Sequence, residues 1–195
     1  DYYEGDLETL EVATEWLNET EYNVLAVHFS GPDKVGHTWG ADSPEYDRKL
    51  THVDQQVSEL LDIIPDKWSV VITADHGMTD MGTHGSSEDI TREVAAIISG
   101  PQIVAKSKTE AHQRDLSAVI PLLLEIPFPI QLHGKIPLEI FDYSSDEKTV
   151  IEKWNWEAAY QRQLFFNEAK GIENSELSID VIDWESIPSD SEFSR

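Results

Sequence analysis

Apolar positions along the chain follow two rhythms. Over residues 1–22, Leu7, Leu10, Val12, Ala13, Trp16 and Leu17 recur at helical spacing, and the stretch carries eight acidic residues and no basic one. That pattern predicts an amphipathic helix with an acidic outer face. Residues 24–29 form a short apolar run, Val-Leu-Ala-Val-His-Phe, of the kind found in strands buried on both faces. Residues 30–43 are rich in Gly, Pro and Asp and read as a loop. Tyr46, Leu50, Val53, Val57, Leu60, Leu61 and Ile64 then step by 4, 3, 4, 3, 1 and 3. This stripe predicts a helix with Ser43 as N-cap and Pro44 in its first turn, ended by Pro65. Residues 68–73 predict a second buried strand, 74–89 a polar Gly-rich loop and 94–99 a third strand. Residues 113–124 and 154–170 predict two further helices, the first ended by a Pro-rich segment over 127–137, the second by Gly171.

Strands and helices in this alternation predict an α/β fold: a largely parallel sheet, right-handed crossovers and helices on both faces. Residues 1–170 are expected to form this domain. Residues 171–195 hold seven acidic residues against Arg195 alone, and are expected to be a weakly docked acidic tail. No internal repeat is visible.

Composition narrows the function. The chain has 195 residues, which suits one domain or a large part of one. With 38 acidic and 14 basic residues the net charge is −24. Such a charge argues against a basic nucleic-acid surface and against electrostatic adhesion to anionic lipid. It is compatible with a phosphate substrate, because bound divalent ions reverse the local field. The absence of cysteine excludes disulfides, thiolate zinc sites and a cysteine nucleophile. No apolar run approaches the about 20 residues that span a bilayer. The longest, residues 117–130, is broken by Pro121, Glu125, Pro127 and Pro129. The chain opens on Asp1-Tyr2-Tyr3-Glu4, with neither an initiating Met nor the basic start of a signal peptide, so it reads as a piece of something longer.

Three of the seven histidines sit in a pattern. Asp33-Lys34-Val35-Gly36-His37 follows the first predicted strand, and Ala74-Asp75-His76-Gly77-Met78 follows the second. Gly82-Thr83-His84-Gly85 follows, with His84 eight residues after His76. Active sites of open α/β sheets lie beyond the carboxyl ends of the strands, where both Asp–His pairs fall. Asp and His suit zinc, and also manganese. Five such groups exceed what one catalytic zinc with an open position needs, and make up most of a two-metal site. Asp33, His37, Asp75, His76 and His84 are therefore the candidate metal ligands. A lone His after a strand is more often a hydrogen-bonded loop residue; here it is the combination that points to metal. His28 reads as a core histidine in a buried strand and His52 as lying on the exposed side of its helix. His112 and His133 have no partner at telling spacing. Trp39 and Tyr46 are candidates for the site's rim, Tyr46 more simply for packing.

These residues resemble the alkaline phosphatase superfamily, within it the branch of type I phosphodiesterases, nucleotide pyrophosphatases and GPI ethanolamine phosphate transferases. The resemblance is carried by Asp6-Leu7-Glu8-Thr9, by His28 to His37, and by Ala74 to Gly85. Weaker matches follow at Gln113-Arg114-Asp115-Leu116, Ile126-Pro127-Phe128-Pro129 and the helix from Asn155 to Asn167. It implies the C-terminal part of a catalytic domain that lacks its N-terminal strands. It implies two divalent ions, most readily zinc with manganese as the alternative. Asp33, His37 and His84 match the ligands of one; Asp75 and His76 match part of the other's set. The rest of that set, an Asp and the Thr or Ser nucleophile, lies upstream in the family and has no match here, so no catalytic residue is assigned. The implied activity is phosphodiester hydrolysis or phosphoryl or phosphoethanolamine transfer, on a phosphate-ester small molecule or lipid head group. This chain alone is expected to be inert. The resemblance also favours a location outside the cytoplasm. Alternatives are a phosphomonoesterase, phosphomutase or sulfatase of the superfamily, or a non-catalytic metal-binding module. A sheet without its first strands would expose an edge able to pair with a second copy as a homo-oligomer.

Overall fold

A computed structural model describes residues 2–19, 22–126, 128–129 and 132–172. Most of the expected acidic tail, residues 173–195, lies outside the described residues. The chain divides into two compact units, Asp1–Pro101 and Gln102–Arg195.

In the first unit, helix α1 spans Glu4–Glu19, α2 Gly31–Trp39 and α3 Pro44–Leu61. Strands β1, Val70–Thr73, and β2, Ala96–Ser99, flank the four-residue helix α4, Asp89–Arg92. The predicted cap of α3 is present: the Ser43 hydroxyl accepts the Tyr46 N–H, with Pro44 in the first turn. Leu10, Ala13 and Leu60 form a small core with Leu17, Val27 and Phe29 against it. The apolar stripe of α3 mostly lines a cavity, whereas the residues that α3 buries are Lys49, Gln56 and Leu60. His52 is half-buried rather than exposed, edge-on to the Tyr3 ring at 4.9 Å.

Three expectations about this unit need correction. Residues 24–29 form no strand, because a ladder needs a partner and none is present among the described residues. His28 is accordingly exposed, not a core histidine. The stretch 30–43, read as loop, is mostly the nine-residue α2. Pro32 in the first turn presets helical φ, and Asp33 there meets the positive end of the helix. Finally, β1 and β2 do not form the expected parallel pair. They run antiparallel, with Val70 opposite Ser99 and Thr73 opposite Ala96. A parallel pair needs a crossover, usually helical, and residues 74–95 are mostly loop with one helical turn. Nor is the sheet buried on both faces: Val71 and Ile97 are exposed on this two-stranded ribbon.

In the second unit, a 3₁₀ turn at Gln113–Asp115 leads into α5, Leu116–Leu123, and another at Leu138–Ile140 precedes α6, Ser145–Lys170. Ala118, Val119, Leu122, Ile136, Ile140, Phe141 and Ile151 are buried apolar residues of this unit. The last helix starts nine residues before its apolar pattern, at a capping box in which Ser144 and Glu147 bond reciprocally. It ends at Gly171, which adopts the left-handed conformation of a helix C-terminus.

Candidate metal centre

Helix α2 carries the first two donors. Asp33 and His37 are four residues apart, so they lie one above the other on the same face. The Asp33 Oδ1 oxygen is 3.4 Å from His37 Nε2. His76 follows β1 by three residues, and the loop after it brings His84 back beside it. That return is a tight turn: the Gly82 N–H donates to the Thr79 carbonyl at 2.9 Å, and the Thr79 N–H donates to the Thr83 carbonyl at 2.9 Å. The Thr79 and Thr83 hydroxyls also meet at 2.8 Å.

The turn is pressed against α2 at Gly82. Its φ is +74°, and a Cβ there would strike the Gly36 carbonyl oxygen and lie 3.3 Å from His37 Cα. Glycine is therefore required on two grounds. Close approach also puts the Gly82 carbonyl 2.8 Å from His37 Nδ1. A carbonyl only accepts, so Nδ1 carries a proton and Nε2 is the ring nitrogen that faces Asp33. His76 is oriented in the same way, its Nδ1 donating to the Gly77 carbonyl at 3.0 Å.

The fold thus brings Asp33, His37, His76 and His84 together, with Asp75 beside its neighbour His76. His84 Nε2 lies 3.0 Å from His37 Nε2 and 3.4 Å from Asp33 Oδ1. His76 Nε2 is 4.0 Å from that oxygen and 3.6 Å from Asp75 Oδ2. The His76 and His84 rings stack at 3.8 Å. One donor atom from each of Asp33, His37 and His84 falls within a 4.8 Å cluster. The chemistry of this set fits a divalent cation. Asp33 Oδ1 is sealed from solvent and has no hydrogen-bond partner. A carboxylate oxygen and imidazole nitrogens converging at this distance repel one another unless a proton or cation stands among them. Oxygen and imidazole donors in this mixture are those zinc and manganese accept.

Beside the cluster lies a cavity of about 540 Å³, lined by Asp33, His76 and His84 together with the apolar stripe of α3 and the residues of β1. Tyr46 lines it and is half-buried; burial first, then the negative charge of Asp33, raises the pKa of its phenol above the ordinary 10.0. Trp39, the other rim candidate, is exposed. The spacing of motifs missed the Gly82 carbonyl, because a backbone acceptor leaves no trace in residue type beyond the glycine that lets it approach.

Comparison with known proteins now decides the family. The family model described as type I phosphodiesterase / nucleotide pyrophosphatase matches residues 3–162. The chain belongs to this family. It is 30% identical over 137 residues to the catalytic subunit of human GPI ethanolamine phosphate transferase 3, covering 68% of this chain and 13% of that protein. To GPI ethanolamine phosphate transferase 3 of Schizosaccharomyces pombe it is 32% identical over 139 residues, 68% of this chain and 15% of that one. To GPI ethanolamine phosphate transferase 1 of the same yeast it is 29% identical over 188 residues, 77% of this chain and 20% of the relative. The chain therefore spans a fifth or less of these relatives. No solved structure matches it significantly. Among the described residues no helix is long and apolar enough to cross a membrane.

Proposed function

We propose that this chain contributes a divalent-metal site to a phosphoester-transfer enzyme, with Asp33, His37 and His84 holding one ion and Asp75 and His76 belonging to a second. The observation that carries the reading is the convergence of Asp33, His37 and His84 donor atoms within 4.8 Å, around a buried carboxylate oxygen with no other partner. Zinc is the first choice and manganese the second, from the donor types. When bound, such ions supply Lewis acidity, drawing charge from a phosphate oxygen and lowering the pKa of a hydroxyl or water.

This chain's own residues prepare that chemistry. The Gly82 carbonyl holds His37 with Nε2 facing inward, and stacking on His76 limits rotation of the His84 ring. Asp33 supplies negative charge where a cation sits, inside a chain whose excess of acidic residues repels polyanions that lack a cation partner. The substrate class is a phosphate ester, and the relatives' names favour ethanolamine phosphate transfer to or from a lipid-anchor head group. No side chain here is matched to a nucleophile, so the chain alone is expected to leave a phosphodiester such as bis-p-nitrophenyl phosphate intact.

Zinc titration calorimetry on the 195-residue chain tests the reading. Binding to the wild type and at least tenfold weaker binding to His37→Ala is the expected result. Equal zinc content in the two proteins after dialysis overturns it.

A further inference from the structure

Helix α2 carries two of the proposed ligands, yet its own N-cap is poor. Ser30 sits in a helical conformation and makes no side-chain cap bond. The orphan donor at that end is met from another helix: the Gly31 N–H donates to Asp6 Oδ1, on α1, at 3.1 Å. The other oxygen of the same carboxylate is 2.6 Å from Lys49 Nζ on α3. Both side chains are buried, Asp6 to 2% exposure and Lys49 to none. The Tyr3 ring covers the ammonium, 4.5 Å from Nζ to its centroid.

One carboxylate thus joins three helices. A buried ion pair of this kind is weak evidence for stability, because desolvation offsets the attraction, but losing one partner leaves the other's charge buried and uncompensated. Gly31 shows how closely α2 is seated on it: a Cβ there would run into Asp6 Oδ2 and Lys49 Cε, with Lys49 Nζ 2.6 Å away. Asp33 is two residues further along and His37 lies one turn beyond, so any displacement of this helix end is passed to both.

We infer that Asp6 and Lys49 are a positioning pair for the metal centre: through the Gly31 N–H they fix the height and rotation of α2, and so place Asp33 and His37 opposite His76 and His84. The inference rests on the metal reading for its consequence, but the positioning itself concerns the chain alone.

The test compares Asp6→Ala/Lys49→Met, which removes the pair and the acceptor for Gly31, with Asp6→Asn/Lys49→Met, which keeps an acceptor of the same shape. Two readouts are taken on the full chain: imidazole ring resonances of His37 and His84 without added metal, and calorimetric titration with zinc chloride. In the Ala/Met variant both rings are expected to shift, and zinc to bind about 10- to 100-fold more weakly, the usual effect of disturbing groups behind a ligand. The Asn/Met variant, which keeps the acceptor for Gly31 but not the ammonium that holds it, is expected to show smaller ring shifts and a smaller loss of affinity than Ala/Met. Should Ala/Met not fold, Gly31→Ala, which pushes α2 off the pair, is expected to shift the same resonances while melting cooperatively. Unmoved ring resonances in a folded Ala/Met or Gly31→Ala variant overturn the inference. Wild-type protein that takes up no zinc, together with moved resonances, leaves the positioning intact and sinks the metal reading instead.

Discussion

His37 Nδ1 bonds to the carbonyl oxygen of Gly82 at 2.8 Å, so a loop that follows β1 sets the tautomer of a histidine on α2. The bond exists because Gly82, at φ +74°, has no side chain to hold the two backbones apart. We predict that Gly82→Ala destabilises the fold by ~1–2 kcal/mol from the left-handed backbone alone, and by more from the collision with Gly36. It should also weaken zinc binding. Denaturant unfolding and zinc titration check both. A variant as stable as wild type, with unchanged affinity, contradicts the prediction.

Alanine at Asp33, His37 or His84 should each reduce zinc affinity at least about tenfold, the lower end of what even groups behind a ligand contribute. Alanine at Asp75 should leave the tighter site unchanged, since its carboxylate is not among the three donors that converge within 4.8 Å. Competition titration against a zinc-binding dye separates the two classes.

The capping box of α6 makes acid stability depend on one carboxylate. Side-chain and backbone hydrogen bonds from Ser144 lower the pKa of Glu147 below the ordinary 4.5. A depressed carboxylate stabilises the folded form above its unfolded value and loses that contribution as pH falls through the folded one. Helicity of α6 should therefore fray below about pH 4.5. Ser144→Ala should cost about 1 kcal/mol at neutral pH and blunt the acid transition. Circular dichroism at 222 nm from pH 7 to 3 is the measurement, and identical acid limbs for the two proteins count against it.

At the alkaline end Tyr143 should be the late titrant. Burial first, then the charges of Glu147 and Glu125, push its phenol up from 10.0 to about 12. A raised value means that the fold favours the neutral form. Its stabilising contribution is complete below pH 10 and is lost as pH rises through about 12. Absorbance at 295 nm should show a late component that Tyr143→Phe removes.

The net charge of −24 predicts a salt response. Like charges repel in the folded chain, and salt screens them over about 8 Å at physiological strength. Melting temperature should rise with sodium chloride from low to seawater-like concentration. A flat or falling series rejects the prediction.

Much of this molecule can be read from one dimension. Periodicity placed α1, α3, α5 and both strands, because side chains three or four apart share a helix face whatever surrounds them. Ser43 and Gly171 marked a helix start and a helix end through local backbone chemistry. The five candidate ligands were visible because Asp and His in Gly-rich turns have few structural reasons to recur. The family resemblance was legible from those same motifs. What the sequence could not settle was relational. Residues 24–29 have strand composition, yet a strand exists only with a hydrogen-bonded partner, which pairing in space alone supplies. The direction of β2 against β1 depends on the path of the loop between them, not on either strand's residues. Lys49 interrupts an apolar stripe and would pass for a solvated charge; only the carboxylate of Asp6, 43 positions away, turns it into a buried anchor. The gathering of Asp33, His37, His76 and His84 is of the same kind. Residue type determines what each can bind, and distances of 3–4 Å between groups far apart in the chain are set by tertiary packing.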